Sequence, residues 1–349
     1  MDIPLKFLIL SRPEDWNEKT FRHIARPSLL QEFALYDVAK FDVHCDIETY
    51  LRSALSDIAK AGSLSQHDPP WPPEDELKAL VARSDGVFIY AATSARYIGA
   101  RGVDFRRLTE IVQPGSTMLQ DNTIDNLYIM IIDQAFDKLE NRERILRWEV
   151  LGSVVLFQTP LSMTGMTSLL NMQSGQVKAD LSPFHSVIHV PSGSDGHISI
   201  FHASFREFIV DPARCADGRH VDVCKGYEML TVKCLQLLNR LLRRDICDLP
   251  EDRIGALAHE IPDLSVIPEA LRYSCLYWEV HLTDSFSNPL ADISLVLKHL
   301  RRFSDEHLLH WFECLSAFGG LETGLNSLSR AIETLSVIFF FCSMVEVIY

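Results

Sequence analysis

Along most of the chain, apolar residues recur three and four positions apart, which is the spacing of one face of an α-helix. The clearest stripe runs from Ile124 to Leu139 and predicts a helix over residues 123–140. A second stripe, from Tyr227 to Leu242, predicts another long helix. The same spacing predicts one further helix that starts at Asp46 and a short one around Leu169. It also predicts helices over about residues 74–82, 87–98, 142–157, 252–260, 266–282, 290–302, 304–318 and 321–342.

Three segments have a strand-like pattern instead. Leu5 to Leu10 is short and almost wholly apolar, which is typical of a buried strand in a parallel sheet. Residues Phe184 to Val190 and His197 to Phe201 are predicted as two short strands, because a Gly- and Ser-rich turn from Ser192 to Gly196 joins them. The chain is therefore predicted to be mainly α, with one hairpin and a small α/β segment at its start.

The order of elements around the hairpin is informative. Three predicted helices precede it and a fourth follows, which is the order of a winged-helix unit. Phe201, Phe205, Phe208 and Ile209 have helical spacing, and we expect all four to pack against the hairpin and the neighbouring helices.

Composition narrows the functional classes. The chain has 349 residues, and 33 Lys and Arg against 47 Asp and Glu give a formal charge of -14. A surface of this sign repels phosphate backbones, so we expect no nucleic-acid partner, and a DNA-binding role for the winged helix is disfavoured. The eight scattered cysteines contain no C-x-x-C pair, and free thiols in a reducing compartment are expected.

Neither end of the chain has the pattern of a membrane or export segment. The N-terminus lacks the basic leader of a signal peptide, and the apolar run from Val337 to Tyr349 is too short to span a bilayer and contains Glu346. We expect a buried terminal helix or strand there and a cytoplasmic protein.

Motifs for catalysis are missing. The sequence contains no Gly-Lys dipeptide, so it has no Walker A loop, and it has no Gly-x-Ser-x-Gly elbow. Asp133 follows an apolar run as a Walker B acid would, but that run has helical periodicity. We therefore expect no enzymatic activity and no catalytic residue.

Metal binding is also disfavoured. His185 and His189 would lie too far apart on a strand to share an ion, and the loose group of Cys215, His220 and Cys224 lacks a fourth ligand.

One basic cluster stands out on this acidic chain. Arg240, Arg243 and Arg244 are interpreted either as a solvated helix face or as a docking patch for an acidic partner.

Several segments, in this order, resemble fungal NACHT-type STAND nucleotide-binding proteins, relatives of the innate-immunity switches of animals and plants. The resemblance reaches about residue 330. The matching segments are Leu5 to Glu14, Asp46 to Leu51, Trp71 to Pro73, Leu80 to Thr93, Val150 to Gly152, Pro160 to Ser162, Ile200 to Ile209 and Leu271 to Trp278.

This resemblance implies a nucleotide switch. Such proteins join a P-loop ATPase to a helical domain and a winged-helix domain; bound ADP keeps them closed, and exchange for ATP opens them and permits oligomerisation. It implies that Arg12 senses the terminal phosphate, that His202 approaches the β-phosphate of ADP, and that Phe88 lies near the adenine, where plant relatives carry a proline. The residues alone favour a structural interpretation: Arg12 as a surface or capping arginine at a strand end, and His202 as a histidine that packs the hairpin on the helix.

The resemblance also sets the expected domains: residues 1–45 as the end of the NACHT ATPase, 46–120 as a helical domain, 121–215 as a winged-helix domain and 216–349 as a helical region. Without the phosphate-binding loop, we expect a truncated or degenerate switch that works through protein partners or self-association. The alternative is one part of an ATP- or ADP-dependent switch whose P-loop half is missing from this sequence; ADP or ATP would bind only if that half is supplied.

Overall fold

The structure is a computed structural model that describes residues 40–62, 71–100, 106–113, 124–193, 196–215, 218–247, 266–285 and 293–348, with side chains between 43 and 336. The predicted strand at Leu5 to Leu10, Arg12, and the predicted helix at 252–260 lie outside these residues. Within the described part, the prediction of a mainly helical protein with one hairpin is confirmed.

The first group of helices comprises α1 (Lys40–Ala61), α2 (Glu74–Ser84), α3 (Phe88–Ile98) and α4 (Arg106–Val112). Helix α1 begins six residues before the predicted start at Asp46, because Val43 packs against the core and extends the apolar stripe back by one turn. Asp85 and Gly86 both have positive φ, 40° and 79°, which ends α2 and turns the chain into α3. Helix α4 has only seven residues and was not predicted.

The second group surrounds the hairpin. It contains α5 (Ile124–Phe136), α6 (Asn141–Leu156), α7 (Met163–Leu170), α8 (Ser174–Leu181), a 3-10 turn (Ser182–Phe184), β1 (Ile188–His189), β2 (Ser199–Ile200) and α9 (Ala203–Ile209). Helix α5 ends four residues earlier than predicted; Lys138 has a φ of 58°, and Glu140 and Glu143 form a capping box that starts α6.

The hairpin is shorter than predicted. Ile188 pairs with Ile200 and His189 with Ser199 in antiparallel register. Phe184 belongs to the 3-10 turn rather than to a strand. Ser162, just before α7, forms an antiparallel bridge with His197, so a third short segment lies beside the hairpin.

The last group contains α10 (Val223–Leu241), α11 (Glu269–Ser285), α12 (Ser294–Arg302), a π-helical segment (Phe303–His307), α13 (Leu308–Ala317) and α14 (Leu321–Ile348). Trp278 of α11, Trp311 of α13 and Phe303 are buried and meet edge-on or tilted, with ring centroids 5.4 to 6.1 Å apart. One continuous set of buried apolar side chains links all three groups.

The seven described cysteines are free thiols, and four of them are buried. Burial raises the pKa of Cys215 to about 11 and that of Cys234 to about 12, so both are held as neutral thiols. Over the described ranges, no set of three or more His, Cys, Asp or Glu side chains is placed to hold a metal ion. None of the helices described combines the length and the apolarity that crossing a membrane requires.

Candidate functional site

The C-terminal end of α3 contacts the hairpin segment through one positively charged side chain, and we call this contact region the corner. Arg96 is the one charged residue in the sequence of α3, and its guanidinium carbon lies 4.1 Å from the centre of the Phe201 ring. At this distance the cation interacts with the face of the ring. The Nη1 atom of Arg96 is buried and forms no hydrogen bond within the described structure. Arg96 therefore has N–H donors without a hydrogen-bond partner where the first and second groups of helices meet.

His202 follows Phe201 and begins helix α9. Its φ of -151° and ψ of 139° are those of extended backbone, and its Nδ1 accepts a hydrogen bond from the backbone N–H of Ser204 at 3.2 Å. Because Nδ1 is the acceptor, the neutral ring carries its proton on Nε2. The exposed ring thus has an N–H donor on the side away from the helix start.

Two hydrogen-bonded hydroxyl groups connect the His202 ring to the core and fix its orientation. The Ser204 hydroxyl lies 2.7 Å from Nδ1 of His202 and 2.8 Å from the hydroxyl of Tyr128 on α5. Tyr128 is buried, which raises its pKa, and its ring lies 5.1 Å from Phe205 and 5.4 Å from Phe208. The orientation of His202 is therefore set by side chains of the core.

An ion pair holds the segment after α9. Arg214 donates two hydrogen bonds to the carboxylate of Asp125 at the start of α5, at 2.6 and 3.0 Å. This carboxylate raises the pKa of Arg214. The segment after α9 is thus joined to α5 by a bidentate contact, in addition to the aromatic packing between α5 and α9.

Phe88 lies at the opposite end of α3 from Arg96. Its ring is 46% exposed and meets Tyr50 of α1 edge-on at 6.3 Å. The eight residues between Phe88 and Arg96 correspond to about 12 Å along the helix axis. Phe88 and the contact between Arg96 and Phe201 consequently lie at opposite ends of α3.

One predicted core residue is placed differently. Phe205, Phe208 and Ile209 are buried as expected, but Phe201 is 40% exposed. The prediction for Phe201 was wrong because His202 has extended dihedral angles, so Phe201 lies on the strand side of the helix start and not on the α9 face.

Arg96, Tyr128 and Ser204 belong to this corner and were not predicted. A lone arginine in an otherwise uncharged helix was the available signal for Arg96. The contact between Tyr128 and Ser204 spans 76 positions of sequence, and no local pattern encodes it.

The two histidines that were considered as metal ligands are not together on one strand. His185 lies in a turn, where its Nδ1 is 2.7 Å from the carbonyl oxygen of Ser182. His189 lies on β1 with its ring 5.7 Å from that of Phe201.

Two further sequence candidates have ordinary structural contacts. Asp133 lies on α5, and Arg219 donates a 2.7 Å hydrogen bond to it. The three arginines near the end of α10 do not share a helix face, because the helix ends at Leu241; Arg240 hydrogen-bonds to the carbonyl oxygen of Ser168, and Arg243 and Arg244 follow the helix.

Comparison with known proteins gives one distant relationship. The chain is 23% identical over 275 residues to the vegetative incompatibility protein HET-E-1 of Podospora anserina. The match covers 73% of this chain and 19% of that protein, so the chain spans about a fifth of its relative's length. No protein-family model matches the sequence, and no solved structure matches it.

Proposed function

We propose that this chain is the helical and winged-helix part of a NACHT-type signalling switch and that it acts in the cytoplasm as a regulatory module through protein contacts, without hydrolysing ATP. The observation that carries the proposal is the distant homology to a fungal vegetative incompatibility protein over 73% of the chain. The segments that resemble NACHT proteins, from Asp46 to Trp278, fall largely within helices and the hairpin of one continuous core.

The corner between α3 and the hairpin supports a role in switching. In this family the winged helix reports the state of the nucleotide, and such a unit must move against its neighbours. Arg96 meets the hairpin through an exposed aromatic ring, and a contact of this kind contributes only about 0.5–1 kcal/mol. This single contact can therefore break without unfolding either side.

The sequence supports the absence of hydrolysis. A triphosphate is held by backbone N–H groups of a glycine-rich loop and by its lysine, and the chain has no Gly-Lys dipeptide. Its charge of -14 adds repulsion to any polyphosphate that lacks such a loop.

Calorimetric titration of the purified chain with ADP and with Mg-ATP, together with a phosphate-release assay, tests this proposal. We expect no tight binding and no phosphate release. Tight binding of ATP, or release of phosphate that a change of one of the chain's own side chains abolishes, would refute it.

The second candidate function is one part of a nucleotide-dependent switch whose P-loop half is supplied by other sequence. The proton-bearing Nε2 of the exposed His202 ring favours it, because an exposed N–H donor suits a phosphate oxygen. The half-exposed ring of Phe88 is available to an adenine at the other end of α3.

Sequencing of the full-length transcript decides between the two candidates. An in-frame Gly-Lys-Ser or Gly-Lys-Thr loop would favour the second. In that protein, His202→Ala should weaken ADP binding at least tenfold, while His189→Ala, which removes an exposed histidine of the neighbouring strand, should not; equal effects of the two substitutions would exclude the role of His202.

A further inference from the structure

A small polar cavity lies where α4, in the first group of helices, meets the end of α5 in the second group. Its volume is about 240 Å³, which is below the roughly 300–1,000 Å³ of pockets that enclose drug-sized molecules. Five of the seven residues that line it are polar or charged, and we call it the Arg107 cavity. The lining residues are Arg107 of α4, Gln134 and Ala135 of α5, Asp137, Arg147 of α6, Pro183 and His185.

The guanidinium of Arg107 is fixed along one edge. Its Nη1 donates hydrogen bonds to the carbonyl oxygens of Tyr97 and Ala100, at 2.8 and 2.9 Å, and its guanidinium carbon lies 5.1 Å from the centre of the Tyr97 ring. Its Nη2 makes no hydrogen bond within the described residues and is not buried. One edge of a positioned guanidinium is therefore available to a ligand.

Arg147 is held in a similar way on the other side of the cavity. Its side chain is 14% exposed; Nη1 donates to the carbonyl oxygen of Ala135, and Nε donates to the carboxylate of Asp180 at 3.4 Å. Nη2 of Arg147 has no hydrogen bond to any described residue and is not buried. Because both arginines line one small cavity, a single small molecule can contact both of them.

The charges around the cavity are not balanced. Among the described residues, Arg147 has the carboxylate of Asp180 as its partner, whereas Arg107 forms no ion pair with a carboxylate. Asp137 also lines the cavity, but its side chain is 62% exposed and lies 3.6 Å from the ammonium group of Lys138. A fixed and partly buried guanidinium without a counter-ion favours the binding of an anion from solution.

We propose that the Arg107 cavity binds a phosphate group, carried by inorganic phosphate or by a small phosphate monoester. Two guanidinium groups offer N–H donors to its oxygen atoms, and the exposed amide of Gln134 offers a further donor. Asp137 makes the site selective, because its carboxylate only accepts hydrogen bonds. A phosphate group keeps a proton at about pH 6 that it can donate to Asp137, whereas a sulfate ion has no proton to donate.

The Arg107 cavity is separate from the corner at which His202 lies. Neither His202 nor Arg96 lines the cavity. Gln134 lies six positions after Tyr128, whose hydroxyl supports His202, and this separation is about 9 Å along α5. A cavity of this size does not enclose a whole nucleotide, so the inference does not rest on the proposed function.

Isothermal titration calorimetry of the full chain at about pH 6 and constant ionic strength tests the inference, with inorganic phosphate, glycerol 3-phosphate and sulfate as the three titrants. We expect one saturable site for a phosphate group, and the tighter of the first two titrants identifies its source. Sulfate should bind at least tenfold more weakly. Arg107→Gln should weaken phosphate binding at least tenfold, because a lost hydrogen bond to a charged group changes a binding constant by about this factor or more.

The matched control is Arg142→Gln, which removes the same charge from an exposed position of α6 outside the cavity and should change the affinity by less than about threefold. Asp137→Asn changes an exposed side chain and should remove the selectivity, so that phosphate and sulfate bind within about threefold of each other. Tryptophan fluorescence, to which the buried Trp278 and Trp311 contribute, reports that each variant is folded.

Four results would each overturn the inference. They are the absence of saturable phosphate binding, equal binding of phosphate and sulfate by the wild type, a folded Arg107→Gln variant that binds like the wild type, and an equal loss in Arg142→Gln. If Arg107→Gln does not fold, Asp137→Asn decides, and an unchanged preference for phosphate over sulfate in that variant would overturn the inference. ADP and ATP have no part in this test, so its failure and the failure of the proposed function are distinguishable.

Discussion

Acidification should destabilise the last group of helices through one buried histidine. His281 of α11 is 0% exposed, and its ring stacks near Tyr227 at 5.5 Å and Tyr273 at 5.8 Å. The backbone N–H of Gln158 donates to the Tyr273 hydroxyl, which leaves the hydroxyl proton to donate to Nε2 of His281 at 2.8 Å. The ring is therefore neutral with its proton on Nδ1, an atom that is buried without a hydrogen-bond partner in the described residues.

The size of the effect follows from the pKa. Burial lowers the pKa of His281 to about 3, from an ordinary value of 6.5. Between about pH 6.5 and pH 3, the unfolded chain binds a proton at His281 and the folded chain does not. The contribution of the neutral His281 to the free energy of unfolding is therefore fully present above this pH range, and it is lost as the pH falls through the range. Between pH 8 and pH 4.5 the loss from His281 alone is about 2.7 kcal/mol, at 1.36 kcal/mol for each pH unit below 6.5.

Urea denaturation at a series of pH values, followed by tryptophan fluorescence, to which the buried Trp278 and Trp311 contribute, measures this loss. Other groups titrate over the same range, so the informative quantity is the difference between wild type and His281→Gln, which keeps an acceptor for the Tyr273 hydroxyl. We expect the variant to lose about 2.7 kcal/mol less than wild type between pH 8 and pH 4.5. Parallel curves for the two proteins would refute the reasoning.

A second variant identifies the cause. Tyr273→Phe removes the hydrogen bond to Nε2 but leaves His281 buried. Because burial is the cause of the lowered pKa, Tyr273→Phe should reduce stability at every pH and keep the wild-type slope. A flattened slope in this variant would show that the hydrogen bond, rather than burial, keeps the ring neutral.

The remaining predictions concern packing and ion pairs, and chemical denaturation at neutral pH checks each of them. Phe205→Ala should destabilise by about 3–5 kcal/mol, because the ring is 1% exposed against Tyr128; an unchanged midpoint would contradict its core position. Arg330→Ala should destabilise by about 3 kcal/mol, since it leaves a buried carboxylate without its cation, and a neutral effect would show that the pair is not formed. Glu269→Gln should destabilise the protein by about 1–3 kcal/mol, because it weakens the hydrogen bonds that the Glu269 carboxylate accepts. Arg96→Ala should change the stability by less than about 1 kcal/mol. A larger loss of stability for Arg96→Ala than for Glu269→Gln would be inconsistent with these contacts.

The apolar stripes predicted the long helices well because burial on one face determines them. Helices α5 and α6 start within one residue of the predicted positions. Helix α8 was not predicted. Its sequence, SGQVKADL, contains only three apolar residues, and they do not form an apolar stripe at helical spacing. The π-helical segment at Phe303–His307 was predicted as the start of an ordinary helix, since periodicity does not distinguish one extra residue per turn.

The sequence predicted only part of the candidate site. His202 was identified through the resemblance, and the structure adds the hydroxyl chain that orients it. Arg96 lies 105 positions before Phe201, and its position over that ring depends on how α3 packs against the second group of helices. Contacts of this range are set by tertiary packing, which local patterns do not contain.

The polar contacts on the two sides of the hairpin differ in strength, and this difference bears on how a switch of this kind would move. On one side, the Glu269 carboxylate of α11 accepts hydrogen bonds from the backbone N–H and the hydroxyl of Ser162, and Nε2 of His197 lies 3.2 Å away. Hydrogen bonds to a charged group contribute about 1.5–3 kcal/mol each. On the other side, the Arg96 contact with Phe201 contributes about 0.5–1 kcal/mol. In the proposed switch, the hairpin is therefore expected to stay with α11 and to separate from the end of α3, and the opposite ranking of Glu269→Gln and Arg96→Ala would exclude this direction of movement.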